Sequence, residues 1–202
     1  MTIIKIAATV LSAVELEVKE KKVAAMTTPS PPQELKDKTT WLQCTLKNET
    51  QFNVLFRDTY FESGTYWDPP RSFGPFEQCV FSCINEDNAI SGAAGGTSFR
   101  LVLDNDNYYD FSLGWISPLG SYKVGVAESS NPRDGYDAAD KGSGIVRSEK
   151  IFQGKDKHGN LSDFRIDISA TSSQKPLFVV KQVLVPTGII PSLLNDALAL
   201  VV

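Results

Sequence analysis

Nucleophilic and acid–base catalysis require a histidine held in a partly dry site beside a hydroxyl, thiol or carboxylate. The chain has one histidine, His158, within Gly154-Lys-Asp-Lys-His-Gly159, and its Lys- and Gly-rich neighbours predict an exposed hairpin tip. A zinc site asks for clustered N and S ligands, which one histidine and three scattered cysteines do not offer. The segment Asp104-Asn105-Asp106-Asn107, with Asp110 nearby, carries oxygens of the kind Ca²⁺ takes. It lacks the glycine and distal glutamate of an EF-hand loop, and is expected to be a polar hairpin turn. Gly92, Gly95 and Gly96 lie outside any strand–GxxxxGK[ST]–helix context, so no phosphate loop is predicted. They are expected to supply positive φ in a tight turn over Ser91–Gly96. The expectation is a non-enzymatic protein with no catalytic residues, no metal and no cofactor.

The aromatic residues are better placed for binding. Tyr60, Phe61, Tyr66 and Trp67 flank the turn Glu62-Ser63-Gly64, and Tyr108, Tyr109, Trp115, Tyr122 and Tyr136 fall at or near strand ends. Tyr and Trp have an apolar body and a polar tip, which suits a membrane–water interface or a ligand groove. Sandwich cores and rims use the same residues.

The cysteines are Cys44, Cys79 and Cys83, an odd number that cannot pair completely within one chain. Cys79 and Cys83 lie four apart in an expected strand, roughly 13 Å at ~3.3 Å per residue, beyond the ~7 Å Cα separation a disulfide spans. The thiols either pack as small hydrophobes or form intermolecular disulfides in an oxidising compartment.

These residues must be positioned by strands. From Thr40 the apolar period is two: Leu42, Cys44 and Leu46 alternate with Trp41, Gln43 and Thr45, and Phe52, Val54 and Phe56 form the next face. Further strands are expected at 78–84, 99–103, 109–116, 122–127, 145–152, 163–169 and 176–185, with a Gly/Asp/Ser-rich loop over 129–144. Short alternating strands separated by turn signals predict an all-β, two-sheet β-sandwich over residues 40–185. Ahead of it, Ile3, Ile6, Ala7, Val10, Val14 and Val18 recur at steps of three and four, predicting an amphipathic helical arm over 1–26. A Pro-rich linker follows at 27–39. Behind it, Leu193, Leu194, Ala197, Leu198, Val201 and Val202 predict an apolar tail over 186–202.

With 202 residues and a formal net charge of −4, the chain does not have the composition of a nucleic-acid partner. Its basic cluster, Lys19, Lys21 and Lys22, is diluted by Glu15, Glu17 and Glu20. Residues 1–14 read as a weak signal sequence, with Lys5 before a short apolar run. A secreted or oxidising lumenal or vacuolar location is therefore expected over the cytosol. Asn48-Glu-Thr50 and Asn160-Leu-Ser162 would then be glycosylation sequons.

The stretch Cys79–Ser121 resembles the aegerolysins, small acidic β-sandwich proteins of fungi and bacteria that bind membrane lipids. The likeness rests on Ser82-Cys83 with Asp87, on Ser91-Gly92-Ala-Ala-Gly95-Gly96, on Leu101-Val102-Leu103-Asp104, and on Trp115-Ile-Ser-Pro118-Leu-Gly120-Ser121. The corresponding family motifs run approximately SCGRSDA, SGTTGG, LVD or LYD, and WDCPWGS. The arginine of the first motif is absent here, Ser117 stands for the cysteine of the last, and Leu119 for its second tryptophan. The layout is also similar to the wider actinoporin-like group. The resemblance implies binding of a membrane lipid of sphingolipid type, with Tyr66, Trp67, Trp115, Tyr122 and Tyr136 as contact residues. The alternative is a self-assembling structural or storage protein, a homo-oligomer of the same sandwich cross-linked through Cys44, Cys79 or Cys83.

Overall fold

A computed structural model describes residues 2–85, 92–118 and 121–186. The expected apolar tail, 187 onward, lies outside the described residues, as do Ser91, Leu119 and Gly120. The elements run β1 (Ile3–Thr9), α1 (Ala13–Ala24), α2 (Gln33–Lys36), β2 (Trp41–Glu49), β3 (Asn53–Ser63), β4 (Thr65–Asp68), β5 (Gln78–Ile84) and β6 (Ala94–Val102). They continue as β7 (Tyr108–Ile116), β8 (Lys123–Ala127), α3 (Pro132–Lys141), β9 (Ile145–Arg147), β10 (Ile151–Lys155), β11 (Leu161–Thr171) and β12 (Leu177–Val185).

Among the described residues the strands form two sheets. The larger has the order β1-β10-β11-β12-β2-β5-β4, with β9 added on β11; the smaller has the order β3-β6-β7-β8. The alternation read from the sequence sets which side chains meet. Leu42, Cys44 and Leu46 of β2, with Phe81, Cys83, Phe164, Ile166, Phe178 and Val180, face Phe99, Leu101, Phe111, Leu113 and Trp115 across one shared core. Each such side chain stabilises the fold by about 1.5–3 kcal/mol relative to its exposed state.

Three expectations are corrected. The helical arm over 1–26 is a strand followed by a helix. Its first half holds Ile3, Ile4 and Ile6, β-branched residues that favour an extended chain, and β1 adds in parallel to β10 with Ile3 opposite Ile151. The helix begins only at Ala13, behind a capping box in which Ser12 and Glu15 satisfy each other's backbone N–H. Val14 and Val18, counted in the apolar stripe, are exposed, while Leu16 and Val23 are buried.

Second, the loop expected over 129–144 contains α3. Asn131 caps it by accepting from the Arg133 N–H, Pro132 occupies its first turn, and Gly142 (φ 73°) ends it in the left-handed region. Third, Gly92, Gly95 and Gly96 do not supply positive φ. Gly95 and Gly96 lie inside β6, and all three serve close backbone approach: a Cβ there would collide with the carbonyl oxygens of Ser117, Tyr60 and Pro132 respectively.

The outer faces of the sheets are covered differently. Gly96 of β6, Gly114 of β7 and Gly125 of β8 are register partners and form one row across the small sheet. A Cβ on any of them would overlap backbone of α3, at Pro132, Gly135 and Ala139 in turn. The helix thus rests backbone to backbone on the sheet. On β2 of the large sheet, the outward residues hold the segment 24–30 by hydrogen bonds. Gln43 Nε2 donates to the Pro29 carbonyl at 2.7 Å, and Lys47 Nζ donates to the Ala24 and Met26 carbonyls at 2.8 and 2.9 Å. Gln78 Nε2 on β5 donates to the Thr27 carbonyl at 3.0 Å.

Candidate functional site

Strand direction puts the β3–β4 turn, the start of β8, the β11–β12 turn and the N-terminus of β2 at one end of the sandwich. The expected contact residues collect here at different depths. Gly64 (φ 85°) makes the β3–β4 turn, because a side chain would strike the Ile84 carbonyl. That turn sends Tyr66 inward and Trp67 outward.

Trp115 is fully buried, with ring centroids 5.7 Å from Phe81, 5.9 Å from Phe61 and 6.3 Å from Tyr66. This corrects its assignment as a contact residue: it sits on an inward position of β7, between the two sheets. Tyr66 belongs to the same cluster. Its hydroxyl is 2.9 Å from Thr59 Oγ1, and burial raises its pKa well above that of a free phenol. Trp115 and Tyr66 form the aromatic floor of this end.

Further aromatic residues surround this floor, Trp67 on the large sheet and Tyr60 and Tyr136 on the outer face of the small one. Trp67 is 40% exposed, with the Lys38 ammonium 5.8 Å from its ring centroid. Tyr136 of α3 meets Tyr60 of β3 at 5.6 Å between ring centroids, and the Arg133 guanidinium lies 5.5 Å from the Tyr60 ring. The Tyr60 hydroxyl donates to the Glu62 carboxylate, and that bond raises the Tyr60 pKa. Tyr122 is half-buried against the core, and its carbonyl accepts from the Ser172 hydroxyl. Lys123 and Asp140 pair at 3.2 Å beside it.

Tyr60, Glu62 and Arg133 were not singled out as contacts from the sequence. They enter because α3 lies across the small sheet, and Asn131-Pro132 with Gly142 is the cap signature that marks that helix.

The cysteines occupy the core. Cys44, Cys79 and Cys83 are fully buried free thiols on β2 and β5, and burial raises the pKa of all three. Inward-facing thiols held in the neutral form do not react across a molecular surface. A bridge to another chain would require β2 and β5 to open, which corrects their reading as intermolecular disulfide candidates. Asn48 is likewise buried, its amide donating to the Phe52 and Gly74 carbonyls, whereas Asn160 is exposed.

The opposite end of the sandwich is polar. Asp104 accepts from the backbone N–H of Asp106 and Asn107, and its other oxygen accepts from the Ala7 N–H at 2.6 Å. The acidic tip therefore fastens β1. His158 sits exposed in the Asp156–Gly159 turn. Among the described residues no three His, Cys, Asp or Glu side chains are grouped to hold a metal ion. No described helix is long and apolar enough to cross a membrane.

No protein-family model matches the sequence, and no curated protein does. Among solved structures the chain is similar to the lipid binding protein Nakanori, with 14% identity over 85% of this chain and 81% of that one, at a TM-score of 0.47. It is similar to IP-1A from Alcaligenes faecalis, with 15% identity over 71% of this chain and 91% of that one, at 0.41. It is also similar to the Xerocomus chrysenteron lectin XCL, with 11% identity over 71% of this chain and 99% of that one, at 0.38.

Proposed function

We propose that this chain is a non-enzymatic membrane-lipid-binding protein that engages headgroups through the aromatic end of its sandwich. The observation that carries this reading is that Trp67 on the large sheet, Tyr60 and Tyr136 on the outside of the small sheet, and Tyr122 are all partly exposed around the end that Trp115 and Tyr66 close. Amphipathic rings fixed at a protein surface can enter the interfacial layer of a bilayer while their polar tips stay wet. Arg133 and Lys38 bring positive charge beside those rings, suited to the phosphate of a headgroup. The resemblance of the Cys79–Ser121 stretch to aegerolysins points to the same ligand class and narrows it to sphingolipids.

The test is co-sedimentation with vesicles of phosphatidylcholine, with and without sphingomyelin. Trp67→Ala combined with Tyr136→Ala is expected to weaken binding at least about tenfold while the circular dichroism spectrum is kept. Unchanged vesicle binding by that double variant would overturn the proposal. Trp115→Ala is unsuitable for this purpose. It empties a core position at a cost of about 3–5 kcal/mol, so its loss of binding would report unfolding.

A further inference from the structure

On the outer face of the large sheet, the strap of residues 24–30 does not close completely over β2. Between the strap, β2 and the start of β12 lies a cavity of about 240 Å³. A water molecule's share of liquid volume is about 30 Å³, so the space exceeds what bridging water needs. Beside the apolar Pro29 and Leu177, its lining is the hydroxyl-bearing Thr28, Ser30 and Thr45 and the ammonium-bearing Lys47 and Lys175, with no carboxylate.

Lys47 is the unusual member. It is only 6% exposed, yet no carboxylate lies within ion-pair distance of its ammonium among the described residues. Its described partners are the two strap carbonyls, which leaves one of three N–H donors unused. Glu49, two residues further along β2, is turned to Lys181 at 3.7 Å, and Lys181 is shared with Glu20 at 3.0 Å. Buried charges in folded proteins are normally paired. Glu49 acts on Lys47 only from beyond ion-pair distance, and the side that opens into the cavity carries no carboxylate. On its wall the Thr45 hydroxyl donates to the Thr28 hydroxyl at 3.3 Å, which leaves the Thr28 proton free to donate. Lys175 adds a second, exposed ammonium at the mouth.

We infer that this cavity is a binding site for a tetrahedral oxyanion, a phosphate or sulfate, either free or as the terminal group of a larger molecule. The anion would take the spare Lys47 proton, hydroxyl donors from Thr28 and Ser30, the first held in place by Thr45, and the charge of Lys175. The site lies on the outer face of the large sheet, apart from Tyr60 and Tyr136 on the small one, and does not depend on the aromatic end binding lipid.

The experiment is titration of the full chain with inorganic phosphate, followed by amide chemical shifts at constant ionic strength. Saturable shifts confined to Thr28, Ser30, Thr45, Lys47 and Lys175 are expected, with a Kd of about 1 mM or tighter. Lys175→Ala, which alters an exposed side chain, should weaken that Kd at least about fivefold without moving the melting temperature. Lys47→Met should abolish it. Because Lys47→Met also removes part of the strap's anchorage, Lys175→Ala and Thr45→Val decide the matter if that variant unfolds. A parallel titration with glycerol 3-phosphate separates a free ion from a headgroup-like monoester, according to which binds more tightly. Shifts that sodium chloride reproduces, or phosphate binding unchanged in Lys175→Ala and Thr45→Val, would overturn the inference. Vesicle binding through the aromatic end should be the same in Thr45→Val, whose change is buried within β2, as in the parent chain.

Discussion

The small sheet is covered by a helix that touches it through glycine, and the large sheet by a strap that is tied to it through side chains. At Gly96, Gly114 and Gly125 there is no room even for a methyl group beneath α3. Over β2, Gln43, Thr45, Lys47 and Glu49 are all buried although they face outward, because the N-terminal segment lies across them. The first arrangement is dry and rigid, and it presents Tyr136 and Arg133 beside Tyr60. The second is polar and leaves a gap lined by donors. The difference shows that one sandwich can cover its two sheets with opposite chemistry: backbone packing that holds Tyr136 beside Tyr60 on the small sheet, and a hydrogen-bonded strap over a donor-lined cavity on the large one.

The comparison can be broken most severely at the glycine row. Gly114→Val would drive its side chain into the Gly135 backbone of α3. A loss of about 3 kcal/mol or more is expected, at the upper end for overpacking, read as a fall in the urea midpoint. A variant within about 0.5 kcal/mol of the parent would mean that the helix is not seated on the sheet. Loosening the strap should cost less. Lys47→Met removes two charge-assisted bonds to the Ala24 and Met26 carbonyls, and about 1–3 kcal/mol is expected. Amide exchange should then quicken over residues 24–30 and stay unchanged in α3. Removing the α3 cap with Asn131→Ala should cost about 1 kcal/mol and quicken exchange in α3 alone.

The smallest effect is electrostatic. A hydrogen bond from Lys157 and the Ser12 cap hold the Glu15 pKa down, from 4.5 to about 2. A folded-state pKa below the unfolded one stabilises the fold above the unfolded value and ceases to do so as pH falls through the folded value. The Glu15 contribution should therefore be complete above pH 4.5 and vanish toward pH 2. The melting temperature of Glu15→Gln, relative to the parent chain, should be lower at pH 6 and converge on it across that window. Because the pair is exposed, added salt should shrink the difference.

Much of the sandwich could be read from residue spacing, because period-two alternation in Leu42–Leu46, Phe164–Ile168 and Phe178–Val180 reports directly which face is buried. The same signal misplaced Trp115. An aromatic residue near a strand end has the same sequence signature whether its strand position points inward or outward, and only the register of β7 against β6 and β8 separates the two. Residues 3–9 were misread because Ile6 and Val10, four apart, satisfy a helical step and a period of two alike, and the inward set is Ile4, Ile6, Ala8 and Val10. The glycines at 95, 96, 114 and 125 were opaque for a different reason. Their role is set by a helix that lies elsewhere in the chain, and a single sequence does not display that contact. The cavity under the strap depended on three separate segments, 28–30, 45–47 and 175–177, and no local motif announces it.

The central claim is that the aromatic end is the surface that meets lipid. Its most direct test is quenching of tryptophan fluorescence by vesicles containing brominated sphingomyelin. Trp67 is 40% exposed and Trp41 half-buried at that end, while Trp115 is closed inside the core. Strong quenching is predicted for the parent chain. In a Trp41→Phe background it should fall away in Trp67→Phe and survive in Tyr108→Phe, which alters an exposed aromatic at the polar end. Quenching that persists without Trp67, or disappears on changing Tyr108, would contradict the account.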